Sequence, residues 1–219
     1  RDREKPNDLC VAFSRDGFHW SRDARDPFIP VSETPGDWNW ANVQSAGGVC
    51  TVVGDRLHFY VSGRRGVPGT QLPGECSTGL ATLRRDGFAS VTDVWPAGRP
   101  RQIGLRPGLM TRPLRFTGRH LFVNADVKGE LRVEVLDRAG RAIDGFSIDR
   151  SNAVRGDSTR AMVTWTGDSL ARLAGQPVRF RFMLSNAKLY AFWVSRSARG
   201  ESSGYLGGGG PAFASHQDR

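Results

Sequence analysis

Residues 177–194 read PVRFRFMLSNAKLYAFWV. In the first half Val178, Phe180, Phe182 and Leu184 alternate with Arg179 and Arg181, the period of two that turns one face of a strand to a core and the other to water. In the second half, residues 189–194 are apolar on both faces, which predicts a strand in the middle of a packed sheet. Ser185-Asn186 reads as the turn joining the two.

The same period extends upstream. LMTRPLRF, HLFVNA, ELRVEVLD, FSID and RAMVTWT, with the two strands above, make about seven or eight short strands in about ninety residues, the spacing of a β-sandwich. The one convincing helical stretch is Asp168–Leu173, a connector capped by Asp168 or Ser169 and ended by Gly175. Residues 94–113 carry four prolines and three glycines and lack alternation until Leu109, the composition of a boundary between modules. We therefore divide the chain into residues 1–98, a linker at 99–107, a sandwich at 108–195 and a Gly-rich, mobile tail at 196–219.

Composition narrows the function classes. The chain has 219 residues, 38% of them hydrophobic, which is enough for one or two ordinary cores and excludes a disordered tail. Lys+Arg exceeds Asp+Glu by 31 to 22, giving +9, and Lys5, Lys128 and Lys188 are the only lysines. The arginines are scattered, with Arg64-Arg65 and Arg84-Arg85 as local pairs expected on solvated strand faces. That distribution argues against nucleic acid as a partner. No apolar run approaches the roughly 18–20 residues of a membrane helix. The start at Arg1, without Met or an apolar leader, reads as a piece of something longer. Cys10, Cys50 and Cys76 lack the paired spacing of a zinc site, and Cys10 and Cys50, in apolar alternating segments, are expected as buried free thiols. Asp137, Asp144, Asp149 and Asp157 lack the dense spacing of a calcium loop, so neither metal nor cofactor is assigned.

The first hundred residues contain a repeat. Phe13-Ser-Arg-Asp-Gly-Phe-His-Trp20 recurs seventy positions later as Leu83-Arg-Arg-Asp-Gly-Phe-Ala-Ser90, each an Asp-Gly turn between two strands. A further turn at Gly54-Asp55 joins an inner strand, residues 43–53, to LHFYVSG. Residues 43–92 then read as four successive antiparallel strands, and residues 9–31 as the outer two strands of a preceding unit. Together they make about one and a half blades of a β-propeller, whose blades take roughly 40–50 residues. The fold class expected is thus all-β: a partial propeller followed by a jelly-roll-like sandwich. Its N-terminal blades are absent from this chain.

These residues resemble a known family. SRDGFHW, PFIP, the Gly36-Asp37-Trp38 turn, NVQSAGG, LHFYVSGR and TGLATLRRDGF are similar to consecutive blades of the five-bladed propeller glycoside hydrolases of families 32, 43 and 68. LMTRPLRF through GDSTRAMVTW to SSGYLGGGGPAF resembles the C-terminal sandwich of family-32-like proteins. The resemblance covers residues 8–215. It implies hydrolysis of an oligo- or polysaccharide by a carboxylate acid/base pair, an extracellular or periplasmic location and a carbohydrate partner, acidic sugars included, with neither nucleic acid nor membrane.

Such enzymes place two carboxyl groups across the glycosidic bond, about 5–5.5 Å apart for retention and 6.5–9.5 Å for inversion. The family's Trp-x-Asn-Asp-Pro nucleophile motif has no match here. Arg25-Asp26-Pro27 and Glu75-Cys76 echo its other acidic motifs, and Glu75, in the long insertion between two strands, is the candidate catalytic residue. Candidate substrate-binding residues are Asp37, Trp38, Asn39, Asn42, Gln44 and Arg64. Asn42 and Gln44 alternate onto one face with amides able to bridge sugar hydroxyls, Trp38 or Trp40 can stack on a sugar ring, and Arg64 can meet an acidic sugar. Related propellers often carry Trp-Asp at this bend, where this chain has Trp38-Asn39. A non-catalytic carbohydrate-binding or structural module is the alternative, and an arginine-driven polyanion binder is the third reading.

Overall fold

The computed structural model describes residues 6–45, 49–65, 76–93 and 108–219. Among the described residues the fold is all-β, with antiparallel sheets and two short 3-10 turns. The chain divides into two compact units, Arg1–Thr82 with Gly207–Ala212, and Leu83–Leu206 with Phe213–Arg219. The expected linker at 99–107 lies outside the described residues.

In the first unit, β1 (Phe13–Ser14) and β2 (Trp20–Ser21) form a hairpin in which Phe13 faces Ser21 and Ser14 faces Trp20. A separate sheet contains β3 (Asn42–Ser45), β4 (Thr51–Val53), β5 (Arg56–Arg64) and β6 (Cys76–Arg84). β3 pairs with the C-terminal half of β5, β4 pairs with its N-terminal half, and β6 also pairs with β5. Val31, Val43 and Val61 form a small buried core with Leu9, Ile29 and Phe59 against it. The Gly-rich segment is held here: Val52 N–H donates to the Gly209 carbonyl at 2.8 Å, and Gly208 N–H to the Cys50 carbonyl at 2.9 Å. A Cβ on Gly208 would stand 2.9 Å from that carbonyl, so the close approach needs glycine.

The second unit is one sheet of order β10-β9-β11-β7, with β8 also on β11. β7 is Val91–Thr92, β8 Gly108–Met110, β9 His120–Leu136, β10 Val154–Val163 and β11 Arg179–Ser195. β9 directs Leu121, Val123, Ala125, Val127, Leu131, Val133 and Val135 into the core, every second residue of an apolar face. From β11, Phe180, Phe182 and Leu184 join them, with Val178 just ahead of the strand, as the alternation predicts. Burying even a few such side chains stabilises the unit by roughly 1.5–3 kcal/mol each. Trp165 fits the core by donating its indole N–H to the Val133 carbonyl at 2.8 Å.

Several expectations are corrected. Ser185-Asn186 is not a turn between two strands, because β11 runs straight through it. The register against β9 shifts between Ser185 and Ala187, where β9 carries the extra residue, and again between Leu189 and Ala191, where β11 does, and the shifts reset which side chains face the core. After the second, Phe192 and Val194 pack inward, while Trp193 stacks on Phe122. Asn186 supplies the left-handed φ of 47° that the first bulge needs. The Asp93 carboxylate secures it, accepting from Asn186 N–H at 2.7 Å and Ala187 N–H at 3.0 Å. HLFVNA and ELRVEVLD likewise merge into β9, and FSID ends in a 3-10 turn, Ile148–Arg150, in place of a strand. The connector at Asp168–Leu173 holds as a 3-10 turn at Leu170–Leu173, capped by Ser169.

The second copy of the repeat does not form a hairpin, since β7 pairs with β11 at Lys188–Leu189 instead of returning along β6. The two copies also turn differently: Gly17 takes the left-handed φ in the first (79°), and Asp86 takes it in the second (54°). Arg84 and Arg85 are not on a solvated face, their side chains being 16% and 14% exposed. The cysteines are free, but Cys10 and Cys76 are exposed and Cys50 half-buried. Near the C-terminus Leu206 and Asp218 are buried, and Asp218 accepts from Ser202 N–H, Ser202 Oγ and Arg85.

Candidate functional site

The residues singled out in the sequence do not gather in one place. Asn42 and Gln44 stand on β3 opposite Arg64 and Ser62 of β5, and partners in an antiparallel pair share a face. Val43 and Gly63 occupy the other face, and Trp38 belongs with them. A Cβ on Gly63 or Gly79 would come within 2.3 or 2.4 Å of the Trp38 ring, so the indole lies across β5 and β6 where both strands carry glycine. Trp38 is therefore separated by the sheet from the amides it was grouped with, and its ring packs on strand backbone, although 40% of the residue remains exposed. Glycine at two neighbouring strand positions was the sequence signal for this seat.

Asp37 works within its own loop. Its carboxylate accepts from the Ser32 hydroxyl, its N–H donates to the Thr34 carbonyl at 3.2 Å, and its carbonyl accepts from Trp40 N–H at 3.1 Å. Asn39 donates to the Pro30 carbonyl at 3.3 Å. Arg64 is exposed at the end of β5, its carbonyl accepting from Ala41 N–H at 2.8 Å. Asp26 is exposed in a bend. Glu75 lies outside the described residues.

What the sequence reading passed over is the first Asp-Gly hairpin as a surface. An open cleft of about 790 Å³ is lined by Phe13, Ser14, Arg15, Asp16, His19, Trp20 and Ser21. Asp16 organises it: Oδ1 accepts from Phe18 N–H at 2.9 Å, His19 N–H at 2.8 Å and the Ser14 hydroxyl at 3.2 Å, while Oδ2 meets His19 Nδ1 at 2.5 Å. These contacts, with the His19 backbone N–H first and the His19 ring next, hold the Asp16 carboxyl far below the usual aspartate range. A carboxyl held ionised in this way is an acceptor and a poor proton donor.

Trp20 sits in the same frame. Its indole N–H donates to the Gly17 carbonyl at 3.1 Å, so its polar edge is satisfied inside the hairpin while the residue stays 64% exposed. Phe18 is 86% exposed at the tip. Large aromatics left open beside fixed polar groups mark a binding surface more than a folding one. The signal available in the sequence was Phe, Phe and Trp around a turn whose strands are too short to bury them.

Among the described residues, no group of three or more His, Cys, Asp or Glu side chains could hold a metal ion. In comparisons with known proteins, no family model, no curated protein and no solved structure matches this chain.

Proposed function

We propose that the chain is the carbohydrate-recognising C-terminal part of a propeller-and-sandwich protein of the glycoside hydrolase type. In this reading the first unit supplies propeller strands, the β1–β2 hairpin and the β3–β6 sheet, without β7, which pairs with β11; the second unit is the jelly-roll-like sandwich, and the location is extracellular or periplasmic. The single observation that carries carbohydrate recognition is Trp20. A pyranose has an apolar C–H face and a rim of hydroxyls, and Trp20 offers an open ring whose orientation is already fixed by its bond to Gly17. Because little side-chain freedom remains to be lost, stacking there is favoured over stacking on a mobile aromatic. Arg15, His19 and Ser14 bring donors to the same cleft.

The charge pattern supports a sugar over a polyanion. Many arginines of the described residues are held in ion pairs, among them Arg85 with Asp218, Arg155 with Glu130, Arg172 with Asp168 and Arg181 with Glu134. Each such pair sets a carboxylate beside a guanidinium, so the net excess of +9 is not concentrated at these positions. Hydrolysis by a carboxylate pair is the activity that the resemblance assigns to the complete protein, with Glu75 as this chain's contribution. Asp16 does not suit the role of acid, for the reason given above.

The test is calorimetric titration of the chain with a panel of soluble oligosaccharides, run beside an assay for released reducing ends. Trp20→Ala should weaken the bound sugar by at least about tenfold, a loss of about 1.4 kcal/mol, with the fold unchanged by circular dichroism. Equal binding by Trp20→Ala, or binding of no sugar, overturns the reading. Release of reducing ends that Glu75→Gln abolishes would move the function to hydrolysis.

A further inference from the structure

The second unit contains a cavity of its own, about 560 Å³, where the end of β11 meets residues 196–219. Its charged lining is three guanidinium groups, Arg196, Arg199 and Arg219, against one carboxylate, Glu201. Ser197 and Ser202 add hydroxyls to the wall. The volume suits a mono- or disaccharide-sized ligand, since small-molecule sites run to about 300–1,000 Å³.

Glu201 is the informative side chain. Its Oε1 takes Arg199 Nε at 2.6 Å, the side chain is 16% exposed, and its Oε2 is buried with no hydrogen-bond partner. The neighbouring Ser197 hydroxyl, ahead of the charge on Arg199, holds the Glu201 carboxyl below the usual glutamate range, so it is an ionised acceptor. An oxygen with no accessible surface takes no donor from the cavity, so a ligand meets Glu201 through the part of its side chain that stays exposed. Arg196 is exposed and anchored only lightly, its Nη2 lying 3.4 Å from Thr117 Oγ1.

A ligand that satisfies this wall must donate from hydroxyls to Glu201 and present an anion to the arginines. We propose that the cavity binds a uronic-acid unit of an acidic oligosaccharide, its carboxylate on Arg196 and Arg199 and a ring hydroxyl donating to the Glu201 carboxylate. Guanidinium and carboxylate match as a planar, two-toothed pair, which discriminates the uronate from the neutral sugar. The inference deepens the carbohydrate reading by naming the sugar class, but it rests on a different unit from Trp20.

The experiment is calorimetric titration of the whole chain with digalacturonate, with cellobiose as the neutral probe and sodium sulfate as the simple anion. Digalacturonate binds the unaltered chain, Arg196→Gln and Glu201→Gln each weaken it by at least tenfold, and cellobiose shows no response to either change. Arg196 is exposed, so Arg196→Gln keeps the test alive if Glu201→Gln disturbs the fold. Absence of digalacturonate binding, equal binding by Arg196→Gln, or full displacement by sulfate overturns the proposal. Trp20→Ala separates the two readings: digalacturonate binding lost with Trp20→Ala but kept with Arg196→Gln places the sugar on the hairpin and refutes the cavity, and the reverse pattern upholds the cavity and refutes the hairpin.

Discussion

Asn124 should be one of the most sensitive polar positions in the second unit. It stands on β9 with 1% exposure and bridges two residues of the second Arg-Arg-Asp-Gly turn. Its Oδ1 accepts from Arg84 Nε at 2.5 Å, and its Nδ2 donates to the Arg85 carbonyl at 2.5 Å. Asn124→Ala removes both partners and leaves a guanidinium N–H and a backbone carbonyl unmatched in a part-buried setting. At about 1–3 kcal/mol for each orphaned group, discounted because Arg84 keeps the Ala125 carbonyl, the expected loss is about 2–4 kcal/mol. At about 2–4 °C per kcal/mol for a chain of this size, the thermal midpoint should fall by about 4–16 °C. Asp157→Ala is the contrast, since that carboxylate also pairs with Arg84 but is 64% exposed and should cost below about 1 kcal/mol. Urea unfolding of both variants decides. A loss for Asn124→Ala within about 0.5 kcal/mol of zero, or a larger one for Asp157→Ala, refutes the argument that this turn is clasped through Asn124.

Two further predictions follow from packing and charge. Gly79→Ala drives a Cβ to 2.4 Å from the Trp38 ring and should destabilise the first unit by about 1–3 kcal/mol; adding Trp38→Leu should recover part of the loss in the same urea experiment. Burial tends to raise the carboxyl of Asp218, but the Ser202 amide and hydroxyl and the charges of Arg85 and Arg160 outweigh it, so the net displacement is downward. A depressed carboxyl contributes stability that is full above the ordinary aspartate value of about 3.9 and is lost as pH falls through the lower folded value. Asp218→Asn should therefore cost stability at neutral pH, with the gap to the unaltered chain narrowing below about pH 4 in urea melts.

The strands were legible where period alone decides. Val178 to Leu184 alternate locally, and no distant partner is needed to see it. The bulges were not, because an Asn in the left-handed region serves a turn or a bulge equally well, and only the uninterrupted pairing with β9 distinguishes them. The burial of Arg84 and Arg85 was illegible for a related reason: their partners, Asn124, Asp157 and Asp218, lie 40 to 133 positions away in sequence. The second Asp-Gly repeat shares residues with the first without sharing its structure, since β7 finds a better edge on β11. In the candidate site, parity within β3 puts Asn42 and Gln44 on one face, but that Arg64 stands opposite Asn42 was illegible, because it depends on the register against β5. Trp38 was misplaced because the two glycines that seat it, Gly63 and Gly79, are on other strands. The hairpin aromatics entered the sequence reading only as part of the repeat, and their cluster around the turn was not weighed as a surface.

The most direct test of carbohydrate recognition is a proton–nitrogen correlation spectrum during titration with the tightest oligosaccharide of the panel. The chain has six tryptophans, so six indole N–H signals report on separate places at once. Stacking on the hairpin predicts that the Trp20 indole and the amides of residues 13–21 shift together, saturating with the calorimetric affinity, while the Trp38 indole stays still. Shifts confined to other tryptophans, or a hairpin that does not respond, would contradict the account.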